Sequence, residues 1–301
     1  MEHSRQRLAE LINGFAQGEG LQATPIPGVY CTKVSAPDLD SRRRWRACLA
    51  IIAQGAKEIR LEDARHRLEE THYTASPIDL PVITSIPDAS PARPFLALLI
   101  DFDPLALREM AASLESELRA PVAAPRQAVF VGETDAGLLQ AAVRLAEFFT
   151  RPPDARALGP LVVKEAFYHL LRGPNGPALY QFVRAGTRTQ QIYHAIYSLR
   201  TNLGGEVDIE ALVRSARMSR SVFFAHFKQV TGFSPIQYLK RIRLLEARRL
   251  MVEEGTTAEE AAFRVGYRSA PQFSREYARM FAAAPRRDAA ELIRQQRTLA
   301  S

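Results

Sequence analysis

The period of the apolar positions changes twice along the 301-residue chain. Residues 4–17 carry helical spacing (Leu8, Leu11, Ile12, Phe15) and stop at Gly18 and Gly20, which predicts a first helix. From Thr24 to about Asp101 the pattern breaks into short runs bounded by Pro, Gly and Asp: IPGVYCTKV, WRACLAIIAQG, KEIRLEDARHRL, DLPVITSIP and FLALLIDF. Strands at this spacing predict an antiparallel barrel or sandwich. Helical period returns after Pro104. Leu107, Met110, Ala111, Leu114 and Leu118 form one stripe, and Leu138, Leu139, Ala142, Leu145, Ala146 and Phe149 form another. The PRQAVFV stretch between them can add a strand. The two stripes offer more apolar surface than one barrel needs, so a homodimer through this half is expected, although each stripe can equally pack internally. Further helices are predicted over 154–172 and 187–203, separated by the turn signal GPNGP. A domain junction is expected near 180–190.

The last hundred residues follow one plan twice. Asp208 can cap a short helix carrying Ile209, Leu212, Val213 and Ala216; a turn follows at Arg217-Met218, and Ser219 can cap a second helix. On that second helix Val222, Phe223, Phe227 and Val230 face inward, which leaves Arg220, Ser221, Phe224, Ala225 and Lys228 outward. From Thr256 the plan recurs. Ala258, Ala261, Ala262 and Val265 form the packing face, Gly266 supplies a left-handed turn, and Ser269 can cap a helix carrying Phe273, Tyr277, Met280 and Phe281. Between the two lies Ser234–Glu253, about 20 residues or roughly 30 Å as a helix. That length is close to the repeat of about 34 Å in B-DNA, so one chain can set two helices in successive major grooves. Lys240, Arg241, Arg243, Arg248 and Arg249 on this spacer are candidates to meet phosphates.

Charge strengthens this reading. The formal net charge is +7, and the segment from Arg188 onward holds 19 Lys and Arg against 11 Asp and Glu, while residues 1–187 hold 21 against 22. Positive charge confined to one segment is what counterion release from a phosphate backbone favours. Only Cys31 and Cys48 are present, with neither a disulfide framework nor zinc-ligand spacing. The opening MEHSRQRLAELINGF is amphipathic and charged rather than a signal peptide, and no apolar run is long enough for a membrane span. A soluble, cytoplasmic protein is the expectation.

The stretches FKQVTGFSPIQYLKRIRLLEARRLM and FRVGYRSAPQFSREYARMF resemble the DNA-binding domain of the AraC/XylS family of bacterial transcription regulators. Upstream, TPIPGVY, DLPVITSIPDASPARPFLALLIDFDP and EAFYHLLRGPNGP resemble the N-terminal arm of one subgroup. The resemblance implies an α+β chain. Residues 1–187 would form a cupin-like antiparallel β-barrel with helices that senses an effector and dimerises, and 188–301 an all-α double helix-turn-helix domain. It implies promoter DNA as partner, RNA polymerase as a further candidate, no cofactor and no enzymatic activity. Its base-facing positions fall on Ser221, Phe224 and Ala225 in the first motif, and on Ala270, Pro271, Gln272, Ser274 and Arg275 in the second. The chain departs from the family at Arg217, where Gly is usual, and at Val213, where Ala is usual. Phe224 and Ala225 also replace polar or basic readers, so the first motif has little means of bidentate base recognition. Arg275 is the leading base reader, or else a phosphate contact.

For the N-terminal half, a metal-dependent cupin enzyme needs clustered His and Glu ligands, whereas His66 and His72 are isolated. No nucleophile elbow, P-loop or dinucleotide fingerprint is present. Binding is therefore expected over catalysis. Arg42 and Arg46, with Arg43 between them, make an R-x-x-x-R pair, and Asp88 and Ser90 lie downstream in DASPAR. Together these loosely resemble the two motifs of PilZ-type cyclic di-GMP receptors, except that the last glycine is Arg93 here. An anionic effector such as cyclic di-GMP, bound by Arg42, Arg43, Arg46, Asp88 and Ser90, is one expectation; a solvated basic loop is the other. On one strand the two arginines would share a face. Cys31 reads as a buried structural thiol rather than a redox sensor. The alternatives to a ligand-responsive regulator are a constitutive DNA-binding protein with an effector-free N-terminal half, and a cupin-type enzyme.

Overall fold

The structure is a computed structural model that describes residues 1–118 and 127–300. It forms two compact units. The first comprises Met1–Ser41, Arg46–Asp79 and Ile83–Gln190; the second comprises Arg42–Trp45, Leu80–Val82 and the chain from Gln191 onward.

The chain opens with helix α1 (Glu2–Phe15), which buries Leu8, Ala9 and Ile12. Nine strands follow: β1 (Gly20–Ala23), β2 (Val29–Val34), β3 (Asp38–Trp45), β4 (Cys48–Gln54), β5 (Lys57–Leu61), β6 (Ala64–Leu68), β7 (His72–Ser76), β8 (Leu80–Ile86) and β9 (Phe95–Asp101). A tenth, β10 (Phe130–Glu133), starts at the end of the PRQAVFV stretch and pairs antiparallel with β7; Pro125 and Arg126 of that stretch are outside the described residues. The strands form two sheets, β1-β2-β9-β4-β7-β10 and β3-β8-β5-β6. At the centre of the larger sheet β4 and β9 run antiparallel in register from Cys48 opposite Asp101 to Ile52 opposite Ala97. Both read as near-continuous apolar runs because both of their faces are covered, one of them by α1.

The helical part of the first unit contains α2 (Pro104–Ser113), α3 (Glu115–Leu118), α4 (Ala136–Glu147), α5 (Pro152–Ala157), α6 (Gly159–Arg172) and α7 (Gly176–Val183). The helix expected over 154–172 is thus two, because Pro160 cannot continue a helix that began upstream and instead starts the first turn of α6. The α7 helix was not expected at all. It starts inside GPNGP, where a Cβ on Gly176 would collide with the Leu171 carbonyl, and buries Leu179, Tyr180, Phe182 and Val183. Leu107, Ala111, Leu114 and Leu118 are buried within this unit, as are Leu138, Leu139, Ala142, Leu145, Ala146 and Phe149. With the exception of the half-buried Met110, the two stripes therefore pack internally.

From Arg188 onward the chain is helical: α8 (Arg188–Thr201), α9 (Ile209–Ser215), α10 (Arg220–Thr231), α11 (Pro235–Glu253), α12 (Ala258–Arg264), α13 (Ala270–Phe281) and α14 (Pro285–Ala300). Ser234 and Gln237 close a capping box at the start of α11, each side chain bonding the other's backbone N–H. Its 19 residues make a rod of about 28 Å. Four left-handed residues punctuate the two motifs. In the first, the turn uses Arg217 (φ 51°) and α10 ends at Gly232 (φ 83°); in the second, the turn uses Gly266 (φ 86°) and α13 ends at Ala282 (φ 57°). Each motif thus has one glycine and one strained substitute.

These turns generate a paired prediction. Arg217→Gly should stabilise the protein by about 1 kcal/mol, since only glycine holds positive φ without steric cost. Gly266→Ala should destabilise it by more, because its Cβ would also meet Arg243 Nη2 at 2.7 Å and the Leu203 carbonyl at 2.9 Å. Thermal denaturation of the two variants checks both signs.

Candidate nucleic-acid interface

In the first motif, caps set the helices as the sequence suggests. The Asp208 carboxylate accepts from Ala211 N–H at 3.1 Å, and Ser219 Oγ accepts from Val222 N–H at 3.5 Å. The inner side of α10 is aromatic. Phe223 and Phe227 are fully buried with centroids 5.8 Å apart, and Phe227 meets Tyr238 of α11 edge-on at 5.6 Å. The outer side exposes Arg220, Ser221, Ala225 and Lys228 and half-exposes Phe224. Arg220 forms an ion pair with Glu210 and lies 5.1 Å over the Phe224 ring. A cation held on an aromatic face makes a flat, apolar-edged surface rather than a hydrogen-bonding reader.

The second motif is better equipped. Ser269 Oγ accepts from Gln272 N–H at 3.4 Å, while Phe273 and Tyr277 are fully buried. Tyr277 Oη donates to Asp288 of α14 at 2.7 Å, and Arg248 of α11 donates to both oxygens of that carboxylate at 2.8 and 2.9 Å. Burial, with the Asp288 bond adding to it, raises the Tyr277 hydroxyl well above its ordinary value, so it stays a donor. Facing outward on α13 are Pro271, Gln272 and Arg275, exposed, with Ala270 and Ser274 half-buried. Behind them sits Glu276, whose carboxylate accepts from Lys240 Nζ, Tyr267 Oη and Gln272 Nε2 at 2.9, 2.9 and 3.3 Å. Burial alone would raise this carboxyl, but the bonds from Lys240, Tyr267 and Gln272 outweigh it and hold it below its ordinary range.

The spacer cations are engaged in contacts of their own, Lys240 while still exposed. Lys240 pairs with Glu276, Arg248 with Asp288, and Arg249 with Glu246, Glu253 and Glu254. Arg241 lies 4.5 Å over the Phe233 ring. Arg243 donates to three carbonyls, of Leu203 (2.9 Å), Gly205 (2.7 Å) and Gly266 (3.2 Å). Burial pushes its pKa down from the ordinary guanidinium value, far from any loss of charge at neutral pH. These side chains brace the unit. Sequence reading missed Glu276, Asp288 and the carbonyl clamp. The i, i+4 spacing of Gln272 and Glu276 is a legible signal, whereas Lys240 and Asp288 meet their partners only through the turns.

The residues expected to bind an anion are divided between the units, Arg42 and Arg43 in the second and Arg46, Asp88 and Ser90 in the first. Arg42 and Arg43 lie on β3, but Arg46 lies beyond its end at Trp45, so the shared-face argument does not reach it. Arg46 Nη2 donates to Asp101 Oδ2 at 2.6 Å and to Tyr30 Oη at 3.2 Å, with its guanidinium 4.4 Å over the Tyr30 ring. Within the second unit, the Arg42 carbonyl accepts from Arg248 at 3.3 Å. Ser90 Oγ accepts from Arg93 N–H at 3.2 Å and so closes its own turn. Asp88 lines a groove of about 340 Å³ with Glu69, Glu70 and Arg93; Arg46, of the same unit, does not line it. Cys31 is fully buried, and burial pushes its thiol up to about 11, as suits a structural cysteine. Among the described residues no helix is long and apolar enough to cross a membrane.

Comparison with known proteins agrees with this geometry. The AraC-type transcriptional regulator N-terminus matches residues 25–178, and a helix-turn-helix domain matches residues 212–290. The chain is 29% identical over 92 residues to the lactose operon transcription activator of Staphylococcus xylosus, covering 31% of this chain and 33% of that one. It is 31% identical over 88 residues to the transcriptional activator RhaS of Escherichia coli strain SE11, covering 29% and 32%. These matches span about a third of the curated relatives' length. Among solved structures, ToxT of Vibrio cholerae O395 superposes with a TM-score of 0.61 at 11% identity, covering 90% of this chain and 98% of that one, which speaks for the fold. With the N-terminal family match alone covering just over half of its residues, the chain belongs to the AraC/XylS family of transcriptional regulators, a family of regulators rather than of enzymes.

Proposed function

We propose that this protein binds duplex DNA sequence-specifically through α10 and α13, with residues 188–301 reading the operator and residues 1–187 sensing an effector. The observation that carries the reading is the pair of twelve-residue, Ser-capped helices braced against one 19-residue rod. A rod of about 28 Å suits successive major grooves on one face of the duplex. Arg220, Ser221, Phe224, Ala225 and Lys228 form the first contact surface, and Ala270, Pro271, Gln272, Ser274 and Arg275 the second. Arg275 is the guanine-reading candidate: it is exposed on α13, and no ion pair engages it among the described residues.

The effector is proposed to be a small anion. Two arms are worth testing. Cyclic di-GMP follows from the arginine pair Arg42 and Arg43, though Arg46 is already committed to Asp101 and Tyr30 and Ser90 to its own turn. A carboxylic acid follows from the ToxT neighbours, described as bound to an unsaturated fatty acid and to (E)-4-(8-methylnaphthalen-1-yl)but-3-enoic acid. A homodimer would need a face other than the two buried stripes; Leu105 on α2 and Leu161 on α6 are exposed on neighbouring helices. A monomer in sedimentation at tens of micromolar would remove it.

Two outcomes test the reading on the full-length chain. Binding to its selected operator should weaken steeply with salt, and Arg275→Ala should cost about 1–3 kcal/mol on that operator while leaving random DNA nearly unchanged. Equal losses on both DNAs would make Arg275 a phosphate contact, and salt-insensitive or absent binding would sink the reading. For the effector, calorimetry with cyclic di-GMP should give heat that is lost in an Arg42→Ala, Arg43→Ala double variant. Heat from an unsaturated fatty acid alone would transfer the site to the carboxylate, and no heat from either would leave the constitutive regulator as the better account.

A further inference from the structure

Gln272 is the third residue of α13, in the turn whose side chains meet base edges first when such a helix enters a major groove. Its side chain is exposed, yet one end of it is fixed. Nε2 donates to Glu276 Oε1 at 3.3 Å. An ionised carboxylate only accepts, so the oxygen end of the amide cannot take that place. Glu276 is itself held from two sides. Lys240 Nζ donates to the same oxygen and Tyr267 Oη to the other, both at 2.9 Å, and the Glu276 side chain is only 19% exposed. An unrestrained glutamine can present its amide either way round; this one has a single orientation.

That orientation leaves Oε1 and the second N–H of Nε2 to face outward, an acceptor beside a donor. We infer that Glu276 locks Gln272 as an adenine reader, with Oε1 accepting from adenine N6–H and Nε2 donating to N7. Guanine offers two acceptors, O6 and N7, at the same edge, so an amide fixed with its oxygen forward meets O6 with a like acceptor. Arg275, three residues on, carries donors only and suits guanine. The second helix thus sets two readers of opposite preference in adjacent positions. Glu276, with Lys240 and Tyr267 behind it, is a positioning residue and acts through Gln272. A merely helix-stabilising i, i+4 pair would leave base preference untouched, and that difference separates the two roles.

The inference rests on the reading that α13 enters the groove, and one experiment distinguishes their failures. Duplexes are selected from a random library by the full-length protein, its Gln272→Ala variant and its Glu276→Gln variant, each first checked for a wild-type melting transition. The wild type should select a site with adenine at one position of the α13 half. Glu276→Gln, whose neutral amide can donate or accept, should lower that preference about 5-fold or more at that position, with the remaining positions retained. Gln272→Ala leaves the Glu276–Lys240–Tyr267 set in place and should lose the same position, so it decides the matter should Glu276→Gln fail to fold. An adenine preference that survives either folded variant would overturn the inference alone, as would a different base at the position Gln272→Ala affects. Uniform loss at every position would reduce Glu276 to a structural role. No selected sequence from the wild type would overturn the groove reading and this inference with it.

Discussion

The second unit depends on one guanidinium. Arg243, midway along α11, donates to carbonyls on both of its flanks: Leu203 and Gly205 before the first motif, and Gly266 in the turn of the second. Each of these half-buried residues offers a strong acceptor, and a carbonyl orphaned on full burial would cost about 1–3 kcal/mol, an upper bound here. A single side chain satisfies all three, which ties the entry segment and the second turn to one point on the rod. Three acceptors also explain how a half-buried charge is tolerated there. Gly266 completes the arrangement. Its position must be left-handed, and the space where a Cβ would go is taken by the guanidinium itself. On the proposed reading, two helices on a flexible spacer would lose orientational entropy on every encounter with DNA, whereas two braced to one rod have largely lost it in folding.

The same bracing changes what the charge balance means. An excess of cations confined to the segment from Arg188 onward reads, in sequence, as a phosphate-binding surface. In the structure five spacer cations turn to carboxylates, carbonyls and a ring instead. Lys228, Arg275, Arg279, Arg286 and Arg287 remain exposed on α10, α13 and α14. Net charge still draws the segment towards a polyanion at long range. The number of phosphates neutralised at contact, which sets the salt slope, follows from the smaller outward set.

How much of this was legible depends on sequence distance. The caps Asp208, Ser219 and Ser269 announce themselves, because an N-cap is a local contract between one side chain and the next turn. The left-handed turn at Arg217 was legible too, through the missing glycine. Strands flanked by turn residues were found, but β1 and β7 are short and mixed, and β7 pairs with β4 and β10, which lie far from it along the chain. The α7 helix was hidden because its first residues are those of a turn. Arg46 shows the limit most clearly. Its spacing from Arg42 suggested a ligand fork, while its partner Asp101 lies 55 residues away and brings Tyr30 with it. No local pattern records such a pairing, and an arginine looks the same in sequence whether it awaits an anion or already has one.

The two motifs are built to one plan yet differ chemically. The first spends its leading cation on Glu210 and Phe224, leaving small and aromatic side chains and a lone Lys228 outward on α10. Such a surface can match groove shape and touch a thymine methyl, and it has few directional hydrogen bonds to offer. The second sets a fixed amide and a guanidinium side by side on a helix whose back is sealed by Tyr277, Asp288 and Arg248. On the proposed reading this is a division of labour that the rod makes workable. Directional readers discriminate only if their register is set, and a misplacement of an ångström or so spoils a bidentate pair. A shape-matched first helix held a fixed distance away supplies that register, so weak reading in one motif sharpens strong reading in the other.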